Sequence, residues 1–254
     1  MKSDIEKFFR FLQLEKSLAT NSIDAYQHDI ARYAAFLEAR GIASANGATG
    51  DDVAAFIHEL HRLGLSARSV ARNLSAVKSF HKFLLGEKVT ASDPTLTIEL
   101  PKRGKFLPDV LSVGEINKII DATSQKKDDD KNLWIRDRAI LETLYATGMR
   151  VGETLRLDRG DVDLDDGLLV VRDSKFGKSR EVPLHKSAVK ALRSYAERRD
   201  ELCPQASTDA FFLSATGTRV LYCNFHLAFL SLVREAGLRP RSPKCRPRPH
   251  DLRH

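Results

Sequence analysis

Apolar residues recur every three to four positions through most of the chain, with polar residues between them, and that period predicts helices. Ser3-Asp4-Ile5-Glu6 has capping-box form and leads into Ile5, Phe8, Phe9 and Leu12 at helical spacing. Thr20 or Asn21 can cap a second helix, with Ile23, Tyr26, Ile30, Tyr33, Ala34 and Leu37 on one face and a stop at Gly41. A third begins near Asp51-Asp52, acids suited to a helix N-terminus, and runs through Val53, Phe56, Ile57 and Leu60 to Gly64. The fourth starts at Ser66 and carries Val70, Leu74, Val77, Phe80, Phe83 and Leu84 to Gly86. Four helices with short connections over residues 1–86 predict a small helical bundle.

Residues 87–110 lose the period. Asp93-Pro94, Pro101 and Pro108 bracket Lys102-Arg103-Gly104-Lys105, the pattern of an extended basic linker. A second unit over 111–254 opens at Ser112-Val113-Gly114-Glu115, another capping pattern, followed by Ile116, Ile119 and Ile120. The polar run from Ser124 to Lys131 reads as an exposed loop. Leu133 to Tyr145 is helical, with Ile135, Ile140, Leu141 and Leu144 for the core, and a short helix follows Gly148 and ends at Leu157. Asp161 to Leu184 is the one β region: Leu168–Val171 and Arg180–Leu184, joined by a polar turn through Lys175-Phe176-Gly177-Lys178. Helices return at 186–200 and at roughly 222–236. The pattern predicts a mainly α chain with a small β-sheet in its second, α+β half.

Composition narrows the class. A chain of 254 residues with 42% apolar and 30% charged residues can bury a core without disulfide staples. No apolar stretch approaches the ~18 residues of a membrane span, and the N-terminus lacks the apolar segment of a signal peptide. Cys203, Cys223 and Cys245 show no metal spacing, so the expectation is free thiols in a reducing cytoplasm. Lys and Arg total 41 against 34 Asp and Glu, a net charge of +7. The excess gathers toward the C-terminus, where Arg239, Arg241, Lys244, Arg246 and Arg248 follow one another with no acid between them. Such a cluster can neutralise phosphates; it is equally the pattern of a solvated basic tail.

Sequence motifs for common chemistries are absent: no Gly-x-Ser-x-Gly, no phosphate loop of the Walker type and no zinc spacing. Asp128-Asp129-Asp130 reads as a solvated loop, because three consecutive carboxylates cannot all face one ion from a regular element. What remains is a scattered basic set. Arg150 sits where Gly148 breaks a helix, Lys175 at the hairpin turn, and His250 and Arg253 are spaced i, i+3 on one helical face. Forked arginines, a lysine and a histidine can together stabilise charge developing on a phosphate. Each also has a plainer reading: Arg150 an ion pair with Glu153, Lys175 a turn lysine, His250 a cap or surface residue.

Longer motifs decide between these. The runs Ser17–Tyr26 with Asp29-Ile30 and Phe36-Leu37, Ser69–Phe80, Asp93-Pro94 with Leu100-Pro101-Lys102 and Leu107-Pro108, Tyr145–Glu153, Gly177-Lys178 with Val182-Pro183-Leu184, and Pro249–His254 occur in order over essentially the whole chain. In these the chain resembles the tyrosine recombinases of the phage integrase class, above all the bacterial Xer branch that resolves chromosome dimers. The resemblance implies a four-helix, SAM-like core-binding domain at 1–86, a linker at 87–110 and an α+β catalytic domain at 111–254, the two domains forming a clamp around DNA.

It also implies roles. Arg150 and Arg253 match the arginines that hold the scissile phosphate, and Lys175 the hairpin lysine that protonates the leaving 5′ oxygen, with Lys178 its nearest competitor. His250 matches the histidine that assists proton transfer and positions the phosphate, and Glu153 an acidic residue that supports the active site without touching the phosphate. The implied chemistry is site-specific recombination through a 3′-phosphotyrosyl intermediate, with no metal or other cofactor. The implied partners are double-stranded DNA bearing short inverted repeats and other recombinase protomers, four in the family's assembly, with no membrane.

One departure stands beside the match. The family's pattern continues beyond the second arginine to a His or Trp and then the nucleophilic tyrosine, whereas this sequence ends at His254. Tyr26, Tyr33, Tyr145, Tyr195 and Tyr222 all lie elsewhere, and Tyr145 reads as a core residue. The expectation is a catalytic domain truncated after His-x-x-Arg that binds DNA without cleaving it alone. The alternatives are a non-catalytic accessory or competitor of an intact recombinase, and a tyrosine donated in trans.

Overall fold

A computed structural model describes residues 1–16, 18, 20–99, 110–124, 133–172, 179–204, 206–239 and 247–253. The chain divides into two compact units, Met1–Phe106 and Leu107–His254. In the first, α1 (Lys2–Leu14), α2 (Thr20–Ala39), α3 (Gly50–Arg62) and α4 (Ala67–Gly86) follow the predicted apolar faces. Tyr33, Leu37, Phe56, Leu60, Val70, Leu74 and Val77 fill one cluster, and Phe8, Leu12, Ile30, Phe80, Phe83 and Leu84 a second. At 20 residues α4 is about 30 Å long, enough to supply both. Phe8 anchors α1 with its ring 5.3 Å from that of Phe80 and 5.4 Å from that of Phe83.

The helix starts show which polar signals act. Thr49 caps α3 reciprocally with Asp52: the Asp52 N–H donates to Thr49 Oγ1, and the Asp52 carboxylate accepts from Thr49 N–H at 3.0 Å. Ser66 caps α4 by accepting from Ser69 N–H. Gly41 and Gly64, with φ of 76° and 75°, turn the chain after α2 and α3 where a side chain would be strained. One expectation changes. The capping box at Ser3 does not form, because the helix already begins at Lys2 and Asp4 instead pairs with the terminal amine at 3.4 Å. Helix α4 ends at Gly86 as expected, and Lys88 beyond it takes the left-handed conformation.

Residues 87–99 of the expected linker contribute Val89 and Ile98 to the two clusters and bury Thr95, whose N–H donates to Asp93 Oδ1. Pro101, Pro108 and the basic run between them lie outside the described residues. Two polar pairs with a buried member cross the bundle. Arg72 Nη2 donates to Asp29 at 2.9 Å, and Tyr33 Oη lies 2.9 Å from His81 Nε2, while His81 Nδ1 is buried without a partner.

The second unit contains α5 (Val113–Thr123), α6 (Leu133–Thr147), α7 (Val151–Arg156), α8 (Lys186–Leu202) and α9 (Tyr222–Glu235). The Ser112–Glu115 capping box forms as expected. The sheet has three antiparallel strands in the order β1-β2-β3: β1 (Val162–Asp163), β2 (Leu168–Val171) and β3 (Arg180–Pro183). The register sets Leu169 opposite Val182 and Val171 opposite Arg180. Leu169 and Val171 face the core with Ile119, Ile140, Leu141, Leu144, Leu192, Phe212, Phe225 and Phe229. Helix α6 is the hub, packed by α5, α7, α8, α9 and a 3-10 turn at Pro249–Arg253.

Segment 208–213 has no period of its own and is held by buried polar groups. Arg199 donates to the carbonyls of Ala210 and Phe211, Arg136 donates to the carbonyl of Leu213, and Leu213 N–H donates to Tyr195 Oη. Among the described residues no helix is long and apolar enough to cross a membrane. Cys203 and Cys223 are free thiols; Cys245 lies outside the described residues.

Candidate active site

The site begins where α6 stops. Gly148 takes φ 61° and its N–H closes the last turn on Leu144 O, while Thr147 Oγ1 accepts from Met149 N–H. Met149 and Val151 are buried on either side of Arg150, so Arg150 alone of the three points outward, as the extended N-cap of α7. Glu153, the third residue of α7, folds back over that start. Its Oε2 accepts from the Arg150 backbone N–H at 3.1 Å and its Oε1 from Arg150 Nη1 at 2.8 Å. The acid thereby caps a helix N-terminus and fixes a guanidinium with one side chain.

A third residue completes the cluster. Arg180, the first residue of β3, donates through Nη2 to Glu153 Oε2 at 2.7 Å. The Glu153 side chain is 3% exposed, while those of Arg150 and Arg180 are 47% and 40% exposed. Two cations therefore face solvent from one buried anion. Burial works against the charged carboxylate, yet the hydrogen bonds from Arg180 and Arg150 and the Arg180 charge outweigh it, holding the carboxyl at about 2. Glu153 is ionised throughout the neutral range.

The His-x-x-Arg motif lies on the 3-10 turn Pro249–Arg253. Pro249, Asp251 and Leu252 are buried, and His250 and Arg253 are exposed. Residues i and i+3 eclipse in this geometry, so the two exposed residues share a side. Asp251 is the internal strut: its carboxylate accepts from Arg248 N–H at 2.8 Å and from Arg248 Nη2 at 3.0 Å. Leu252 enters the core cluster that also holds Met149 and Val151, and both this turn and α7 pack on α6.

Arg150 and Glu153 are thus joined directly, and His250 and Arg253 are presented together. Lys175 and Lys178 lie outside the described residues. Tyr145, expected in the core, is 38% exposed, because Ile140, Leu141 and Leu144 fill the buried side of α6. Arg180 was not singled out by its sequence context. The hint was a charge at the first position of a strand whose neighbours alternate inward and outward. Among the described residues no cluster of three or more His, Cys, Asp or Glu is placed to hold a metal.

The family model described as the phage integrase family matches residues 109–254, and the phage integrase N-terminal SAM-like domain matches residues 5–88. The chain belongs to the phage integrase family. Its relatives in this family include a tyrosine recombinase XerD of Chlorobaculum tepidum, 37% identical over the whole chain and 81% of that protein. A tyrosine recombinase XerD of Staphylococcus epidermidis is also 37% identical, over the whole chain and 83% of its length. The fold is that of a lambda integrase dimer bound to a COC′ core site, with a TM-score of 0.72 at 20% identity, the alignment covering 100% of this chain and 86% of that one. The XerH site-specific recombinase bound to difH substrate superposes with a TM-score of 0.73 at 20% identity, covering 100% and 72% of the two chains. Within this phage integrase family member, the N-terminal match falls on α1–α4 and the larger match contains Arg150, Glu153, Arg180, His250 and Arg253.

Proposed function

We propose that this recombinase binds duplex DNA at a site of short inverted repeats and holds a scissile phosphate with Arg150 and Arg253. The observation that carries the reading is the buried Glu153 carboxylate, which presents the Arg150 guanidinium to solvent in a fixed orientation. A guanidinium anchored on one edge keeps donors on the other for a non-bridging oxygen, and donors fixed before the reaction stabilise developing negative charge without reorganising.

In the reaction proposed for the family form, a tyrosine oxygen attacks phosphorus and the bond to the 5′ oxygen breaks. Lys175 protonates that leaving oxygen, and His250 handles the proton of the attacking phenol. One phosphodiester becomes a 3′-phosphotyrosyl ester, and attack by a second 5′ hydroxyl reverses the exchange. We assign the attacking phenol outside these 254 residues. Tyr195 is buried with its hydroxyl accepting from Leu213 N–H, and Tyr222 stacks on His226 on α9. Partner protomers are part of the proposal: a lambda integrase of the same fold was crystallised as a tetramer bound to a Holliday junction.

The test is a nicked suicide duplex carrying a relative's recombination site. The chain alone is expected to retard the duplex and to form no SDS-stable adduct. Fused to the tyrosine-bearing C-terminal segment of a relative, it is expected to form one, and Arg150→Ala or Arg253→Ala in the fusion to abolish the adduct while largely sparing binding. An adduct made by the chain alone overturns the assignment of the nucleophile. Binding by the fusion without any adduct supports a non-catalytic accessory instead, and no retardation of any duplex at low salt refutes both.

A further inference from the structure

A carboxylate and a guanidinium left to themselves close into a fork of two parallel N–H···O bonds that uses up one face of the arginine. Arg150 and Glu153 do not do this. Arg150 reaches Glu153 through Nη1 alone, onto Oε1 at 2.8 Å. Oε2 is already taken, by Arg180 Nη2 at 2.7 Å and by the Arg150 backbone N–H at 3.1 Å. Arg180 comes from a different element, held in place by its pairing with Val171 across the β2–β3 ladder.

We infer that Arg180 is a positioning residue for the phosphate site: by occupying Glu153 Oε2 it keeps the Arg150–Glu153 fork from closing and leaves an edge of the Arg150 guanidinium for an anionic oxygen. This inference rests on the reading of Arg150 as a phosphate ligand. The charge balance agrees with it. An Arg150–Glu153 pair alone is neutral, whereas two guanidiniums on one carboxylate leave a net positive charge at a surface where both arginines reach water. The geometry also gives the sheet a reason to be there. A three-stranded sheet this small buries little apolar surface, but its third strand delivers a cation to the back of the site from 27 residues away in the chain.

The test uses the 254-residue chain with isotope-labelled arginine and glutamate side chains, and inorganic phosphate as the probe. Two signals are followed by NMR: the Glu153 carboxyl carbon from pH 7 to pH 4, and the Arg150 Nε–H during a phosphate titration at pH 7. In the wild type the Glu153 signal is expected to stay flat and the Arg150 signal to move with phosphate. Arg180→Gln is expected to bring the onset of Glu153 titration into the measured range and to weaken the phosphate response of Arg150 by about tenfold, the equivalent of one pK unit. Arg180→Lys, which keeps a charged donor, is expected to leave Glu153 flat and the response within about threefold of wild type.

A purely structural role for Arg180 lowers stability but moves neither signal. An Arg150 signal that ignores phosphate in the wild type overturns the phosphate-site reading itself. A phosphate response and a flat Glu153 signal that both persist unchanged in Arg180→Gln overturn the inference about Arg180 while leaving that reading intact. Should Arg180→Gln fail to fold by circular dichroism, the folded Arg180→Lys protein decides: loss of its phosphate response or early titration of its Glu153 overturns the inference.

Discussion

Glu153→Gln is the substitution that most directly tests the arrangement at the site. The amide keeps the size of the side chain and one acceptor, but removes the charge that two guanidiniums share and turns the other end of the group into a donor facing Arg180 or Arg150. The carboxyl sits at about 2 against an ordinary 4.5, an interval worth at most ~3 kcal/mol. Both arginines reach water and can rehydrate, so screening brings the charge contribution to about 1–2 kcal/mol. For a unit of this size that lowers the melting temperature by about 2–8 °C.

The sign in pH follows from the direction of the shift. The folded carboxyl is the stronger acid, so its contribution is complete above pH 4.5 and fades as pH falls from there through 2. The assay is urea unfolding followed by the fluorescence of Trp134, the single tryptophan of the chain, which lies on α6 and reports the second unit. Wild type is expected to be the more stable at pH 7, and the gap to Glu153→Gln to narrow by more than half by pH 3.5. A gap independent of pH, or none at pH 7, refutes the idea that Glu153 acts as a shared counter-charge.

Three further outcomes follow from features of the fold. Burial pushes His81 down to about 4, so between pH 6.5 and 4 the unfolded chain takes up a proton that the folded one refuses. Hydrogen exchange of α4 amides should show the first unit losing up to about 3 kcal/mol over that range, and His81→Phe should flatten the loss. Thr49→Ala removes the reciprocal cap of α3 and should cost about 1 kcal/mol, read from hydrogen exchange of the α3 amides. Asp251→Ala leaves the Arg248 N–H without its acceptor and frees the 3-10 turn beneath His250 and Arg253, with an expected cost of about 1–3 kcal/mol in the Trp134 urea curve.

The helical bundle was legible because its signal is redundant. Helix α4 repeats its apolar face from Val70 to Leu84, and a few misread positions would not have hidden it. Elements held by a single long-range interaction were not legible. Strand β1 is two residues long, too short for any period, and segment 208–213 depends on Arg136 and Arg199, whose sequence context reads as solvated charge although both are buried. Helix α1 starts at Lys2 with no side-chain cap, so no side-chain pattern records its start. At the site, Arg150 and Glu153 stand three residues apart and their pairing is a local rule. Arg180 reaches Glu153 only through the register of β2 with β3, which is a property of the fold and not of any window of sequence.

The division of the N-terminal bundle's interior into two apolar clusters has a mechanical consequence. Helix α4 supplies Val70, Leu74 and Val77 to one and Phe80, Phe83 and Leu84 to the other, so neither half owns its own spine. Unwinding the helix at one end strips contacts from a cluster while the same rod still passes through its neighbour. Opening should therefore propagate along it, so that the bundle yields under force or denaturant as one unit, with no half that releases first.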